Sequence, residues 1–119
     1  MISEEMNQAE LAPRVSDALR SLGIRSTLHG YKYLAYMLMQ VVPDPKQLDL
    51  ITKNLYPRTG SNFGVSKGSM ERAARTAINT CWKGPGRYIL IQMAYYNLDN
   101  RPTVSEFLDI VADYIRRTG

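Results

Sequence analysis

The stretch that decides the fold runs from Ser66 to Lys83 and has the sequence SKGSMERAARTAINTCWK. Its apolar residues recur at three- and four-residue spacing, which places them on one side of an α-helix. These residues are Met70, Ala73, Ala74, Ala77, Ile78, Cys81 and Trp82. Ser66 is a favourable N-cap, and the Gly-Pro-Gly sequence at 84–86 cannot continue a helix. We therefore predict an amphipathic helix over 66–83 that packs one side on a core.

The other side of this predicted helix is polar and basic. Its members are Gly68, Arg72, Arg75, Thr76 and Asn79, with Ser69 and Glu71 at the margins. From residue 58 to residue 87 the chain carries six basic residues and one acidic residue, whereas its total net charge is only +4. A positive field concentrated around one helix is typical of proteins that contact phosphates. A solvated surface of lysine and arginine is the alternative explanation.

The composition indicates one globular domain. The chain has 119 residues, of which 45% are hydrophobic and 22% are charged, an ordinary balance for a folded domain. No apolar run is long enough to span a membrane, and the acidic start, residues 1–5, lacks the apolar core of a signal peptide. The single cysteine, Cys81, cannot form an internal disulfide. We therefore expect a cytoplasmic protein with no membrane partner.

Residues 11–43 predict two helices after a polar, acidic lead-in at 1–10. Leucine and valine at helical spacing mark the first helix from Leu11 to Leu22, and Gly23 suits its C-terminal end. Thr27 is a candidate N-cap of the second helix, which ends near Pro43. The residues expected on its buried side are Tyr31, Leu34, Ala35, Leu38 and Met39.

Residues 44–65 predict a third helix and a turn. Asp44 is a candidate N-cap for a helix over 48–56, which Pro57 would kink or divide. Residues 57–63 have the length of a short helix, and Gly64 provides a turn into helix 66–83. Two helices joined in this way, with bases on the second, form the layout of a helix-turn-helix, whose second helix enters the major groove. The motif would cover about 48–83, although similar helix pairs occur in proteins that do not bind DNA.

Two more helices are expected after residue 86. Residues 87–96 are compatible with a strand or a helix, and we favour a helix because the rest of the chain is helical. Thr103 and Glu106 predict a capping box at the start of a final helix over 104–117. Its inward residues would be Phe107, Ile110, Val111, Tyr114 and Ile115. The predicted fold class is therefore all-α, a single compact domain of about six helices over 11–119.

Four ordered blocks carry a resemblance to a known family. They are GYKYL at 30–34, ITKNLYP at 51–57, MERAARTAI at 70–78 and RPTVSEF at 101–107. In this order and spacing the chain resembles the C-terminal DNA-binding effector domain of the stage-zero sporulation protein A family, the master response regulators of endospore-forming bacteria. The resemblance runs from about Leu11 to the C-terminus. It implies a helix-turn-helix fold and a transcription factor that binds short promoter boxes, often in tandem copies.

The resemblance assigns base readout to one group of residues. They are Ser69, Glu71, Arg72 and Arg75, with Thr76 nearby. An arginine fork matches guanine O6 and N7, and a glutamate can accept from cytosine N4. The family usually has arginine in place of Ser69 and often histidine in place of Thr76, so we expect a weaker or altered sequence preference. The sequence RTGS at 58–61 also departs from a more helix-favouring family pattern.

Contacts with the DNA backbone are expected around the same helix. The candidates for phosphate contact are Arg58, Ser66, Lys67, Asn79, Lys83 and Arg87. Such contacts position a protein on DNA without specifying the sequence. Asn79 lies a full turn beyond Arg75, so we expect it to contact the backbone or solvent rather than a base.

The resemblance also indicates partners. Its members carry an N-terminal phosphoacceptor domain, and the residues before Leu11 could not fold into one, so we expect a stand-alone effector domain rather than an excised one. The expected partner is double-stranded DNA with tandem promoter boxes, bound as a homodimer and associated with the nucleoid. Neighbouring copies would meet through Tyr95, Tyr96 and Phe107. RNA polymerase or a full-length relative are further candidate partners.

The alternative function is a protein-interaction module that keeps the fold and has lost operator recognition. Gly60, Ser69 and Thr76 are the residues that favour it. Such a module would modulate a full-length relative or the transcription machinery. It predicts weak DNA binding that is indifferent to sequence.

The sequence gives little support for catalysis or for a cofactor or metal site. One histidine, His29, and one cysteine, Cys81, provide neither a nucleophile with its base nor a metal cluster, so we expect no enzymatic activity, no cofactor and no metal. Cys81 lies on the apolar side of its helix, which predicts a buried and inert thiol. Trp82 and the tyrosines lie beside leucines and methionines at helical spacing. This spacing predicts core packing rather than a surface that stacks on single strands.

Overall fold

The computed structural model describes residues 7–118, and these form α-helices and no strand. The helices are α1 (Gln8–Ser21), α2 (Tyr31–Val41), α3 (Tyr56–Phe63), α4 (Lys67–Lys83), α5 (Gly86–Met93) and α6 (Val104–Thr118). A 3-10 turn (Pro45–Leu48) and a π-helical turn (Ile51–Leu55) separate α2 from α3. The predicted all-α class is confirmed, and α5 shows that the ambiguous segment after residue 86 is helical.

Capping boxes begin the first and the last helix. The Asn7 side chain accepts the Glu10 N–H at 2.9 Å, while the Glu10 carboxylate accepts the Asn7 N–H at 3.2 Å. Thr103 and Glu106 make the same pair of bonds at 3.0 and 2.8 Å, as predicted. These bonds satisfy backbone N–H groups that have no partner in the first helical turn. Of the acidic lead-in, residues 1–6 lie outside the described part of the chain, whereas 8–10 belong to α1.

The start of α2 differs from the prediction. The helix begins at Tyr31 after Gly30, so Thr27 does not cap it. In the preceding turns the Leu28 N–H donates to the Arg25 carbonyl, and the Tyr31 N–H donates to the Leu28 carbonyl. A Cβ at position 30 would lie 2.2 Å from the Ala73 carbonyl oxygen of α4. The chain therefore uses residues 25–30 to bring its backbone against α4 before it enters the helix.

The single helix predicted over 48–56 is wrong. Asp44 caps the 3-10 turn instead, since its carboxylate accepts the Lys46 N–H at 3.3 Å. The π-helical turn follows, and it brings Leu55 into the core. Pro57 neither kinks nor divides a helix, because it lies in the first turn of α3, where the N–H that proline lacks would have no helical partner.

Helix α2 lies at the centre of one continuous core and contacts α1, α3, α4 and α6. The largest side chains that are fully buried are Tyr33, Phe107, Leu11, Leu19, Leu22, Ile24, Leu34, Met37, Leu38, Leu55, Met70 and Ile78. The buried side of α2 differs from the predicted one, because Tyr31, Ala35 and Met39 are only partly buried. In α6 the predicted inward residues are buried except Tyr114, which is half-buried.

The prediction that the tyrosines pack in the core is wrong for three of them. Tyr88, Tyr95 and Tyr96 are 69%, 73% and 51% exposed, whereas Tyr33 and Tyr56 are buried. The reason is the position of α5, a short helix that turns only Gly86, Leu90 and Met93 inward. Phe107 is fully buried, so its proposed part in a contact between copies is also wrong.

Candidate nucleic-acid interface

Helices α3 and α4 are joined by a tight turn. Gly64 has φ +68°, a left-handed conformation that glycine adopts without steric cost. The Val65 N–H donates to the Gly60 carbonyl at 2.9 Å, and the Gly64 N–H donates to the Ser61 carbonyl at 3.3 Å. A Cβ at position 60 would lie 2.7 Å from the Val65 carbonyl oxygen. The glycine that departs from the family pattern is therefore the residue that lets α3 lie close to the turn.

Helix α4 has the two sides that its sequence predicts. The Ser66 hydroxyl caps it by accepting the Ser69 N–H at 3.1 Å, and the helix ends at Lys83. The buried side consists of Met70, Ala73, Ala74, Ala77, Ile78 and Cys81, while Trp82 is partly buried. The exposed side includes Lys67, Gly68, Ser69, Arg72, Arg75 and Thr76, with Glu71 and Asn79 half-buried.

The predicted base-reading residues form one stripe on α4. We call Ser69, Glu71, Arg72, Arg75 and Thr76 the recognition stripe. At 3.6 residues per turn, Ser69 and Thr76 lie about 60° and 40° to one side of Arg72, and Arg75 lies about 60° to the other side. Arg72 therefore lies near the middle of the exposed side of the helix. A groove borders the recognition stripe on each side.

The first groove, which we call the His29 groove, has a volume of about 320 Å³. Ser69, Arg72 and Thr76 line it on the α4 side, and His29 lines it on the side of the 25–30 turn. The Thr76 hydroxyl donates to the Arg72 carbonyl at 3.0 Å, so its hydrogen is used within the helix. His29 is exposed, and its ring packs edge-on against Tyr33 with ring centroids 5.6 Å apart.

The second groove, which we call the Arg101 groove, has a volume of about 390 Å³ and is lined by Glu71, Arg75 and Tyr56 on one side and Arg101 on the other. The Arg75 guanidinium lies 3.9 Å from the Glu71 carboxylate, and the two side chains are 52% and 36% exposed. Arg101 Nη1 donates to Asn79 Oδ1 at 3.1 Å. Burial, and secondarily the Glu71 charge, raise the pKa of Tyr56 to about 12, although Arg75 opposes the shift. The Tyr56 phenol therefore stays neutral beside the recognition stripe.

The residues predicted to contact phosphates lie around α4. One of them, Arg58, is hydrogen-bonded to other side chains. Lys67 and Lys83 are exposed at its two ends. Arg87 follows at the start of α5 with its guanidinium 4.4 Å from the Trp82 ring centroid. The Arg58 guanidinium donates to the Gln40 side chain at 3.5 Å and also to Gln47. Arg58 is thus held toward α2 and the 3-10 turn.

Two residues beside the recognition stripe were missed by the sequence analysis. His29 and Arg101 are far from α4 along the chain and reach it only through the fold. The only signal in the sequence was their position beside two blocks of the resemblance, since Arg101 begins RPTVSEF and His29 directly precedes GYKYL. The Asn79 side chain accepts a hydrogen bond from Arg101, a contact that the sequence did not predict.

The single cysteine of the chain belongs to the core. Cys81 is buried as predicted, and burial raises its thiol pKa to about 11. Within residues 7–118, no three His, Cys, Asp or Glu side chains lie where they could hold a metal ion. None of the described helices is both long and apolar enough to cross a membrane.

The fold and this surface define a helix-turn-helix domain with a basic second helix. The sequence model of the family described as "Sporulation initiation factor Spo0A C terminal" matches residues 15–115. The chain therefore belongs to this family, which confirms the resemblance. The family consists of DNA-binding domains of transcription regulators in sporulation and is not an enzyme class.

Proposed function

We propose that the chain is a sequence-specific double-stranded DNA-binding transcriptional regulator that places α4 in the major groove. The observation that carries this proposal is the recognition stripe, an exposed polar stripe on the second helix of a helix-turn-helix. The opposite side of the same helix packs in the core, so α4 can meet DNA only with its exposed side, whose middle is the recognition stripe. An α-helix has the width that the major groove admits.

Arg72 and Arg75 are the main base-reading residues of this proposal. Arg72 lies near the middle of the exposed side and can present its fork to guanine O6 and N7. The ion pair between Arg75 and Glu71 is exposed, and such pairs contribute only a few tenths of a kcal/mol. Arg75 can therefore exchange Glu71 for a base, which leaves the Glu71 carboxylate free to accept from cytosine N4.

Ser69 and Thr76 are the residues that should make the DNA sequence preference of this chain differ from that of the family. Their side chains are short and border the His29 groove. One bidentate contact with a base contributes about 1–3 kcal/mol of discrimination, and serine cannot replace the arginine fork that the family usually has. We therefore propose a sequence preference that is weaker than, or different from, that of the family at this edge of the site.

Phosphate contacts would come from residues around α4. The proposed set is Arg58, Ser66, Lys67, Lys83 and Arg87. Arg58 would exchange its bonds to Gln40 and Gln47 for a phosphate. Lys67 and Ser66 lie at the N-terminal end of α4, where backbone N–H groups also favour an anion. Lys83 and Arg87 lie at the other end. The set would fix the orientation of α4 without specifying a sequence.

Fluorescence anisotropy tests the proposal. The purified chain is titrated into a labelled duplex with tandem sporulation-type boxes and into a scrambled duplex of equal length, each over a salt series. We expect a preference for the boxes of about a hundredfold or more, since specific binders typically exceed their non-specific affinity by about a thousandfold or more. Equal curves that fall together with salt would contradict base reading and would favour the protein-interaction module.

Two substitutions separate base reading from backbone contact. We expect Arg72→Ala to lower the preference for the boxes by about 1–3 kcal/mol, because it removes a base contact. We expect Lys67→Ala to weaken binding to both duplexes equally and to reduce the salt slope by about 1. If Arg72→Ala weakens binding to both duplexes alike, then Arg72 is a phosphate contact and the assignment of the recognition stripe is wrong.

We further propose that the exposed tyrosines form a protein-contact surface. Tyr88, Tyr95 and Tyr96 lie on or after α5, and the Arg117 guanidinium lies 4.2 Å from the Tyr95 ring centroid. The partner would be a second copy on tandem boxes, RNA polymerase or a full-length relative, in the cytoplasm at the nucleoid. If the partner is a second copy, Tyr95→Ser should lower cooperativity on a two-box duplex and leave affinity for one box unchanged.

A further inference from the structure

Two chain segments that are distant from α4 in sequence lie along its two sides. The 25–30 turn forms one wall of the His29 groove, and the segment before α6 forms one wall of the Arg101 groove. Each segment presents one side chain with N–H donors beside the recognition stripe. These two side chains are His29 and Arg101. Their opposite placement about α4 is a property of the tertiary structure.

Arg101 is held beside α4 from two directions. Its guanidinium donates to Asn79 Oδ1 at 3.1 Å, and the following residue, Pro102, is buried. The capping box of Thr103 and Glu106 then fixes the start of α6. One bond to Asn79 leaves other donors of the exposed guanidinium available, because arginine carries five N–H groups.

His29 is held on the other side by the close approach of Gly30. The backbone at Gly30 touches the backbone of α4 at Ala73, and the His29 ring packs edge-on against Tyr33. The side chain remains exposed and borders the groove that Ser69 and Thr76 leave open. A neutral imidazole still donates one N–H, which suits a phosphate oxygen.

A helix in the major groove has a sugar-phosphate strand on each side. The groove is about 12 Å wide, and a helix with its side chains is about 10–12 Å across. Elements that flank the helix therefore come to lie over the phosphates that line the groove. We propose that Arg101 and His29 contact phosphates of opposite DNA strands, so that the interface consists of α4 and one flanking contact on each side. This inference rests on the proposed insertion of α4 into the major groove.

Asn79 takes a different role in this arrangement. The sequence predicts a phosphate contact for Asn79, whereas its side-chain oxygen accepts the Arg101 hydrogen bond. Asn79 is then a positioning residue that orients the Arg101 guanidinium toward the phosphate. Arginine suits such a contact, because its planar fork binds phosphate through two parallel hydrogen bonds.

A scan of single methylphosphonate substitutions tests the inference directly. Each substitution removes the charge of one phosphate in the two-box duplex, and its effect on affinity is measured for the wild-type chain and for two variants. We expect Arg101→Gln to become insensitive to a neutral phosphate on one strand, and His29→Ala to become insensitive to one on the other strand. Sensitivity that persists at every position in both variants would overturn the proposal.

The salt dependence of binding provides a second readout. Neutralising one phosphate contact changes the slope of log K against log salt by about 0.9. We expect Arg101→Gln to reduce the slope by this amount with about tenfold weaker binding, the scale of one charge-assisted hydrogen bond. Lys46→Gln is the matched control, because the 3-10 turn that carries it follows the end of α2 opposite to Gly30. Its slope should equal that of the wild-type chain within error.

A double-mutant cycle tests the role of Asn79. We expect Asn79→Ala to weaken binding in the wild-type chain and to have no further effect in the Arg101→Gln background. Additive effects would show that Asn79 acts independently of Arg101 and would contradict the positioning role. Circular dichroism melts of all variants should coincide with the wild-type melt, because the changed side chains are exposed or half-buried.

The outcomes distinguish this inference from the proposed function. If the wild-type chain does not distinguish the boxes from the scrambled duplex, and Arg72→Ala changes nothing, the proposed function fails. If Arg72→Ala loses discrimination while the phosphate maps of Arg101→Gln and His29→Ala match the wild-type map, only the flanking contacts fail. Loss of sensitivity on the same strand in both variants would overturn the placement on opposite strands.

Discussion

The two sides of α4 are built under different constraints. The buried side is made of small and apolar residues, with Met70, Ala74 and Ile78 fully enclosed by α2, α3, α5 and α6. The exposed side carries Arg72, Arg75 and their neighbours, which make few contacts with the rest of the chain. The same helix therefore holds the domain together on one side and presents chemistry on the other. Substitutions on the buried side of α4 should therefore change stability, and substitutions on its exposed side should change recognition.

The alanines of the buried side explain how the 25–30 turn reaches α4. Ala73 and Ala77 lie against Gly30, where a Cβ would be 2.2 Å from the Ala73 carbonyl oxygen and 3.0 Å from the Ala77 Cβ. A larger residue at any of these positions would push the 25–30 turn away from the helix. The small size of these residues therefore allows the 25–30 turn to border the recognition stripe.

The largest expected effect comes from the buried side. Ile78→Ala removes a fully buried side chain and leaves a cavity, which should lower the free energy of unfolding by about 2–5 kcal/mol. Urea denaturation measures this loss. Thr76→Ala is the matched control on the exposed side and should stay within about 0.5 kcal/mol of the wild-type value. Similar losses from the two substitutions would break the separation between the sides.

Two glycine-to-alanine substitutions should change the free energy of unfolding in opposite directions. Gly30→Ala places a Cβ into the backbone of α4, so we expect a loss of about 1–3 kcal/mol, although φ is negative and alanine could adopt the backbone conformation. Gly68→Ala lies in α4 with open space around its Cβ, and we expect a gain of about 0.5–1 kcal/mol from helix propensity. Thermal melts of both variants measure the difference. A tolerated alanine at position 30 would contradict the close approach.

The smallest expected effect concerns the exposed ion pair. Glu71→Gln removes the partner of Arg75 and should lower the free energy of unfolding by only about 0.3–0.5 kcal/mol. The difference should shrink in high salt, because exposed charges are screened. Urea denaturation at low and high salt measures both values. A loss above about 1 kcal/mol would mean that the pair helps to hold the fold, which is not expected of an exposed pair.

Local sequence patterns predicted the ends of a helix correctly where capping residues fix those ends. Ser66 and Gly84 bound α4, and Thr103 with Glu106 begins α6, because capping depends on residues within one turn. The segment 44–56 was predicted less well. Its 3-10 and π-helical turns follow from the path that brings Leu55 and Tyr56 to the core, and no local preference specifies that path.

The part of the candidate site that lies on α4 could be predicted from the sequence, and the part contributed by distant segments could not. Spacing alone placed Arg72 and Arg75 on one exposed side, and the resemblance assigned them a role with bases. Spacing could not place His29 or Arg101 beside them, because contacts between distant segments are made by packing and leave no periodic pattern. The error for Tyr95 and Tyr96 has the same origin, since their exposure depends on how little of α5 turns inward.

The sequence by itself determined the two sides of α4, the limits of the helices that carry their own caps, and membership of the family. These depend on interactions within a few residues or on residue identity, which the chain carries directly. Only the tertiary structure decided which segments flank the recognition stripe, which tyrosines are exposed, and that Asn79 pairs with Arg101. The physical reason is that core packing joins distant segments at positions such as Gly30 and Ala73, where there is no room for a side chain at residue 30.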